Sequence, residues 1–457
     1  MAVKRTPEQE EVVKNRGGAL LVSAAAGSGK TRVLVERLMD YILQEGRNID
    51  EFLIITFTRA AAEELRARIA KEIAEALAAQ PDHAHLRQQT VRLYETQIST
   101  IHAFCTVLLR QWGHLLDIPG DFALCEDEEA QVLMTRTLNQ VLEARYEEID
   151  PTGPFARLLD VLSKGRDDSR LLEITLDIYG KIQSYPDPLA WLASQREALD
   201  LSAVTDVGQT PWGSLLLEEA GQTAAYWADQ MAWACDLAQK EAGLEKAYGD
   251  SLQATRRSLE AFVQAAGTSW DEAARVEIVF PKLKAARGVE DPALQEQIKS
   301  IRARCKKAVE ELTQTVSGPS APLLADMALV YPAMLGLLDL VEDFSRAYEA
   351  AKKQRSLLDF SDLEHLAVRL LVDEAGGPTP LARQWGARYT EIMVDEYQDT
   401  NQVQNTIFQA LSQEGRNLFM VGDVKQSIYR FRLADPTIFL EKYRTFPPYD
   451  QAQVGQE

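Results

Sequence analysis

Cysteine is scarce in this chain: four in 457 residues, at positions 105, 125, 235 and 305, with no metal-type spacing among them. That excludes a zinc ribbon or an iron–sulfur cluster as the organising feature and reads as reduced thiols of a cytoplasmic protein. Long apolar runs are missing too. The longest stretch, 323–341, is interrupted by Asp326, Pro332 and Asp339, which argues against a membrane span and a membrane partner. The first five residues lead straight into charge, without the apolar core of a signal peptide. No fixed repeat and no low-complexity tract is present. Positive charge is also short. With 49 Lys+Arg against 69 Asp+Glu the net charge is −20, so any contact with a polyanion must rely on local groups. The candidates are the basic clusters within 282–287, 302–307 and 352–355, each equally readable as a solvated helix face. Hydrophobic content of 46% is that of a globular chain, and this length implies more than one compact unit.

Against those absences stands a glycine-rich turn. The apolar run Ala19, Leu20, Leu21, Val22 is short enough for a buried strand, and the residues after position 31 have helical apolar spacing. Between them lie Ala24, Ala25, Ala26, Gly27, Ser28, Gly29, Lys30 and Thr31. Strand, glycine turn and helix is the context of a loop whose backbone N–H groups cradle phosphates. Residues 26–31 therefore form the candidate phosphate cradle. In it Lys30 reaches the β- and γ-phosphates of a nucleoside triphosphate such as ATP, and the Thr31 hydroxyl ligates Mg²⁺. Ala24 stands where such loops commonly begin with glycine.

A second constellation lies far downstream. Ile392, Met393 and Val394 read as another buried strand, and Asp395 and Glu396 follow at its carboxyl end. Ligands of open α/β sheets collect at that edge. Asp395 suits a magnesium contact and Glu396 suits polarising an attacking water, the parts phosphoryl transfer needs. Adjacent acids are common in so acidic a chain, and the pair gains meaning from its strand and from the phosphate loop. Phe57, Phe104, Tyr429 and Phe431 lie close to Thr, His or Arg at strand–loop junctions. That pattern can stack bases, although core packing explains it equally well from the residues alone.

The motif series resembles the UvrD-like superfamily one DNA helicases. Residues 6–9 resemble the family's N-terminal glutamine motif, which implies that Gln9 reads the adenine edge. Arg32 matches a nucleotide-contacting position. Residues 56–65 and 99–104 look like segments that touch single-stranded DNA, which implies contacts from Phe57, Thr58, Thr100 and His102. Residues 359–363 resemble the short acidic motif before the carboxylate strand, and 395–401 the family signature, with Tyr397 where Phe is commoner. In 422–432 Gln426 matches the γ-phosphate sensor, Tyr429 and Phe431 match base-stacking positions, and Arg432 completes the DNA-contacting set. Within the family, residues 23–26, 100–105 and 116–122 look most like AddA, the RecB-like subunit of bacterial helicase–nucleases.

The resemblance implies a RecA-like α/β domain with a parallel sheet, interrupted by a large all-helical insertion. The boundaries are 1–122 and 350–457 for the two halves and 123–349 for the insertion, where the sequence turns rich in Ala, Leu, Glu, Gln and Lys at helical spacing. It implies an ATP- and Mg²⁺-dependent motor of a 3′-to-5′ helicase acting in break repair on single-stranded and duplex-end DNA, with a second, AddB-like partner protein. The family's later motifs, which supply an arginine finger, and its nuclease domain are not found in these residues. The chain is therefore expected to be one part of a longer motor, slow in hydrolysis and unable to unwind duplex by itself. The alternatives are a non-catalytic DNA-binding or assembly component of the same fold, a UvrD-like helicase without a nuclease, and a phosphate-loop ATPase or kinase unrelated to DNA.

Overall fold

The computed structural model describes residues 5–25, 27–163, 167–413, 415–427, 433–449 and 451–452. Along the chain the first strand, β1 (Leu20–Ser23), lies between helices α1 (Pro7–Lys14) and α2 (Lys30–Gln44). Then come β2 (Phe52–Thr56), α3 (Arg59–Ala79), α4 (Ala84–Arg92), β3 (Gln97–Thr100) and α5 (Ile101–Trp112). A helical stretch follows the short β4 (Ala123–Leu124): α6 (Asp127–Glu147), α7 (Pro154–Leu162), α8 (Ser169–Ile182), α9 (Pro188–Leu199) and α10 (Pro211–Gln239). It continues through α11 (Ala242–Ala266), α12 (Trp270–Arg275), α13 (Pro292–Thr315) and α14 (Ser320–Lys353). The remainder is β5 (Leu357–Leu358), α15 (Phe360–Leu371), α16 (Pro380–Gly386), β6 (Glu391–Val394), α17 (Gln402–Leu411), β7 (Leu418–Gly422) and α18 (Pro436–Thr445).

The molecule is mostly helical around one five-stranded parallel sheet of order β1-β7-β6-β2-β3. Strand parity explains its two cores. In β2, Phe52 and Ile54 join Leu34, Leu38, Leu65 and Phe419 on one side, while Leu53 and Ile55 join Phe104, Leu108, Ile392 and Met420 on the other. A sheet buried on both faces needs strands that are apolar throughout, which is why these runs do not alternate with polar residues. The registers Ile54↔Met393 and Met393↔Phe419 set the carboxyl ends of strands from both ends of the chain side by side.

Two compact units are present. One comprises residues 1–148, 167–191 and 340–457, and the other 149–166 and 192–339. The first holds the sheet, and it also takes in α6 and α8 from the stretch that composition groups as helical insertion. Arg145 Nε donates to Asp343 Oδ2 at 2.6 Å and the Tyr146 hydroxyl to Asp168 at 2.9 Å, polar pairings that sequence spacing does not reveal. In the second unit α10 carries Ala220, Ala224, Ala228, Ala234 and Ala238, all buried, and this small-residue stripe packs against α11 and α13 around Met231, Leu252, Phe262 and Ile301. Asp206 ties its helix ends together by accepting from Trp270 N (2.9 Å), Asp271 N (3.0 Å) and Gly208 N (2.8 Å). Burial would raise that carboxyl, but the donated hydrogen bonds outweigh it and hold the group below its ordinary range.

Two local expectations fail. Pro332 lies inside a continuous 34-residue helix instead of ending one, and α14 is long and apolar enough to cross a membrane by length and composition. A core helix passes the same test, and Ala333, Leu337, Leu340, Val341 and Phe344 are buried. Lys352, grouped above with a basic cluster, is turned inward, with Nζ 2.7 Å from both Asp359 Oδ2 and Asp362 Oδ1. Arg302 is likewise engaged, donating to Pro281 O at 2.7 Å.

The Lys352 triad makes stability depend on pH. Burial, reinforced by the Asp359 charge, pushes the Asp362 carboxyl up to about 6. A carboxyl raised above its unfolded value holds its proton longer in the folded state, so its ionisation costs stability as pH rises from about 4 through 6. Asp362→Asn lacks that loss. The stability of the variant relative to the parent should therefore improve by about 1–3 kcal/mol between pH 5 and pH 7.5. Thermal melts of both proteins at the two pH values read this difference, and parallel curves would contradict it.

Candidate functional site: a nucleotide cradle and an adjoining cleft

The β1–α2 turn adopts the conformation its glycines permit. Gly27 and Gly29 have φ of +75° and +87°, a region costly for other residues, and no heavy atom lies within 4 Å of where a side chain on Gly27 would begin. The turn is pinned at its start by Ala24 N donating to Gly422 O at 3.0 Å. At the far end Gln9 Nε2 donates to Ser28 O at 3.1 Å, so the amide expected to read a base holds the loop's backbone here. Thr31 and Arg32 lie in the first turn of α2, and Arg32 Nε donates to Glu36 at 2.6 Å. No acidic residue occupies that first turn, leaving the positive helix end uncompensated.

Across from the turn, Lys30 Nζ donates to Glu396 Oε2 at 2.9 Å, joining residues 366 positions apart. Parallel pairing of β1 with β7 and of β7 with β6 makes this possible, because both strands end at the same edge. Glu396 has φ +52°, a left-handed conformation that costs a non-glycine residue roughly 1–2 kcal/mol and lifts its side chain off the strand line. Burial, then the neighbouring Glu396 charge, pushes the Asp395 carboxyl up to about 6, with Lys30 pulling the other way. Asp399 is raised by the same two causes. The edge thus gathers three carboxylates around one lysine. That surplus of negative charge and hard oxygen donors suits Mg²⁺, which is usually held by one or two protein oxygens plus phosphate and water.

Gln398 escapes a reading of the sequence as a site residue. It is 2% exposed, and its Nε2 donates to Glu396 Oε2 (2.8 Å) and Asp399 Oδ2 (3.2 Å), while its Oε1 accepts from Asp423 N (2.9 Å). A glutamine inside an acidic motif gives no sign of this, since the arrangement comes from tertiary packing. A Cβ on Gly422 would sit 2.4 Å from Gln398 Oε1 and 3.1 Å from its backbone N. Gly422→Ala should therefore displace Gln398, destabilise the fold by about 1–3 kcal/mol and slow turnover at least tenfold. Denaturant titration and a hydrolysis assay check both parts, and an unchanged rate would remove Gln398 from the site. Gln426 is exposed, and its Nε2 donates to Asp423 Oδ2 at 2.7 Å. Ala26, Tyr429, Phe431 and Arg432 lie outside the described residues.

Beside this edge is a cleft of about 900 Å³ lined by Phe57, Thr58, Thr100, His102, Phe360 and Asn401 among others. The expected strand-contacting residues Phe57, Thr58, Thr100 and His102 are thus brought together. Thr58, Thr100 and Asn401 are the N-caps of α3, α5 and α17, and Phe360 opens α15, so four helix amino ends face the cleft. Helix amino ends attract anions without a net positive side-chain charge. The cleft wall also carries Glu126, Asp127 and Glu128 at the start of α6. Among the described residues, no group of three or more His, Cys, Asp or Glu is arranged to hold a metal ion.

A glycine cradle, a lysine and paired carboxylates at the carboxyl edge of a parallel sheet define a phosphate-loop nucleotide-binding protein. The chain belongs to the UvrD/REP helicase N-terminal domain family, whose model matches residues 5–447. It is 39% identical to the AddA component of an ATP-dependent helicase/nuclease from Heliobacterium modesticaldum, over 98% of this chain and 34% of that protein. The protein of the same name from Geobacillus thermodenitrificans is 39% identical over 96% of this chain and 36% of its own length. That from Syntrophomonas wolfei is 36% identical over 97% and 35%. The chain spans about a third of the length of these relatives.

Proposed function

We propose that this chain is the ATP-binding and ATP-hydrolysing part of a 3′-to-5′ DNA helicase of the AddA type, in cytoplasmic double-strand-break repair. Its sheet is the RecA-like domain, and the helical residues between the two halves of that sheet are the insertion. The observation that carries the reading is the 2.9 Å approach of Lys30 to Glu396. A lysine that must meet phosphate and a carboxylate that must meet water share one opening, as phosphoryl transfer requires.

Each residue then has a task. The backbone N–H groups of 27–31 orient the triphosphate of ATP, and Lys30 turns from Glu396 to its β- and γ-oxygens. Thr31 and Asp395 would hold Mg²⁺, which supplies neutralisation of the charge that develops on the phosphate oxygens. Glu396, released from the lysine, accepts a proton from the attacking water, and Gln398 keeps its carboxylate aimed. Gln9 and Arg32 border the base and phosphate ends. Gln426 reports the γ-phosphate to the strand-contacting residues, among them Tyr429, Phe431 and Arg432. Single-stranded DNA lies in the cleft, with phosphates at the helix amino ends and bases against Phe57. Duplex ends, a second motor domain and an AddB-like partner protein complete the machine. The test is binding of fluorescein-labelled oligo-dT to the chain, with nucleotide affinity measured in parallel. The reading expects micromolar or tighter oligo-dT binding that weakens steeply with salt. Nucleotide binding with no affinity for oligo-dT would leave a phosphate-loop protein unrelated to DNA.

A further inference from the structure

The cleft contains a buried acid that the reaction above does not use. Glu364 on α15 is 4% exposed, yet its carboxylate lies among polar groups from other helices. His102 Nε2, near the start of α5, is 3.0 Å from Oε1. Gln404 Nε2, in the first turn of α17, donates to the same oxygen at 2.8 Å, and Asn401 Nδ2 lies 3.5 Å from Oε2. Phe360 closes the other side of the imidazole, with ring centroids 5.0 Å apart. A buried carboxylate is costly unless its oxygens are satisfied, so this set resists rearranging one member at a time.

Its position in the chain gives the cluster a second meaning. Asn401 and Gln404 follow directly on the 395–399 segment, and Asn401 Oδ1 caps α17 by accepting from Gln404 N at 2.8 Å. A small cavity beside the cleft is lined by Asp395, Glu396 and Asp399 together with Thr100, His102 and Gln404. Any shift of the acidic segment when Lys30 leaves Glu396 therefore reaches Glu364 through the start of α17, and His102 through Glu364. We infer that Glu364 is a positioning residue that couples nucleotide binding to the grip of the cleft on a single strand, by fixing His102 against α17. This rests on the cleft being the strand-binding site.

The experiment measures the affinity of the full 457-residue chain for fluorescein-labelled dT20, with and without the non-hydrolysable analogue AMPPNP and Mg²⁺. Allosteric coupling factors commonly run from 5 to about 150-fold, and AMPPNP should change the parent's dT20 affinity by at least about fivefold. In Glu364→Ala that factor should fall below about twofold, while AMPPNP affinity stays within about threefold, because the nucleotide groups are untouched. His102→Ala should do the same and the double variant no more, since the two act through one contact. Glu364→Gln keeps an acceptor oxygen for His102 and Gln404 and should recover most of the factor. It also keeps the test usable if the alanine variant does not fold. Coupling intact in both Glu364 variants overturns the inference alone, as does a parent that binds dT20 without responding to AMPPNP. A parent that does not bind dT20 overturns the strand-binding reading and this inference with it.

Discussion

Glu396→Gln should leave ATP affinity within about threefold of the parent and lower single-turnover hydrolysis by about 10²–10³-fold, a typical contribution of general-base catalysis. The amide still accepts from Lys30 and Gln398, whose donors reach Oε2 at 2.9 and 2.8 Å, so the edge keeps its shape while losing the group that takes a proton from water. Lys30→Ala should act on binding instead, weakening ATP affinity by at least about 10²-fold, because charge-assisted contacts to phosphate are lost. Residues 24–31 hold no second lysine to replace it. Equilibrium binding of a fluorescent ATP analogue and a single-turnover assay separate the two effects. A Glu396→Gln protein that hydrolyses at the parent rate would move the base to another residue. The ion pair adds a control. With Lys30 gone, Glu396 and Asp395 lose a neighbouring cation, so Mg²⁺ alone should bind no worse to Lys30→Ala than to the parent.

The largest effect on folding should come from the opposite end of β6. Arg37, 1% exposed, donates through Nε to Glu391 Oε2 at 2.8 Å and through Nη1 to Val12 O, and the Tyr41 hydroxyl donates to Glu391 Oε1 at 3.1 Å. This cluster ties α1 and α2 to the start of the strand whose end carries Asp395 and Glu396. Removing one partner leaves a bare charge in the core, so Arg37→Ala or Glu391→Ala should cost about 3–5 kcal/mol. The double variant Arg37→Leu, Glu391→Leu should cost clearly less than the sum of the single losses, because no charge is stranded. Urea titration at fixed pH reads all of these. Additive losses would mean that the two groups do not depend on each other.

How much of this was legible in the sequence differs by residue. The strands β1, β2, β3, β6 and β7 announce themselves as short apolar runs, because a sheet covered on both faces leaves no room for polar alternation. The turn at Gly27 and Gly29 is legible for a local reason, since its backbone needs glycine whatever surrounds it. Glu364, Gln398 and Arg37 are invisible for the complementary reason. Each is a polar residue on a surface-like pattern, and only the tertiary fold, which brings distant partners together, makes it buried and essential. Lys352 reads as part of a basic cluster until α14 and α15 turn it onto Asp359 and Asp362. Pro332 reads as a break because local sequence does not show that α14 continues through it. The cleft also corrects an intuition drawn from charge: a chain of net charge −20 gathers four helix amino ends where a strand would lie.

The most direct measurement of the central claim is a crystal structure of the chain with AMPPNP and Mn²⁺, the metal located by its anomalous signal. The account predicts one manganese peak between the Thr31 hydroxyl and Asp395, the triphosphate in the 27–31 turn, and Lys30 moved from Glu396 onto the phosphates. Nucleotide bound away from that turn, or manganese with neither Thr31 nor Asp395 in reach, would contradict it.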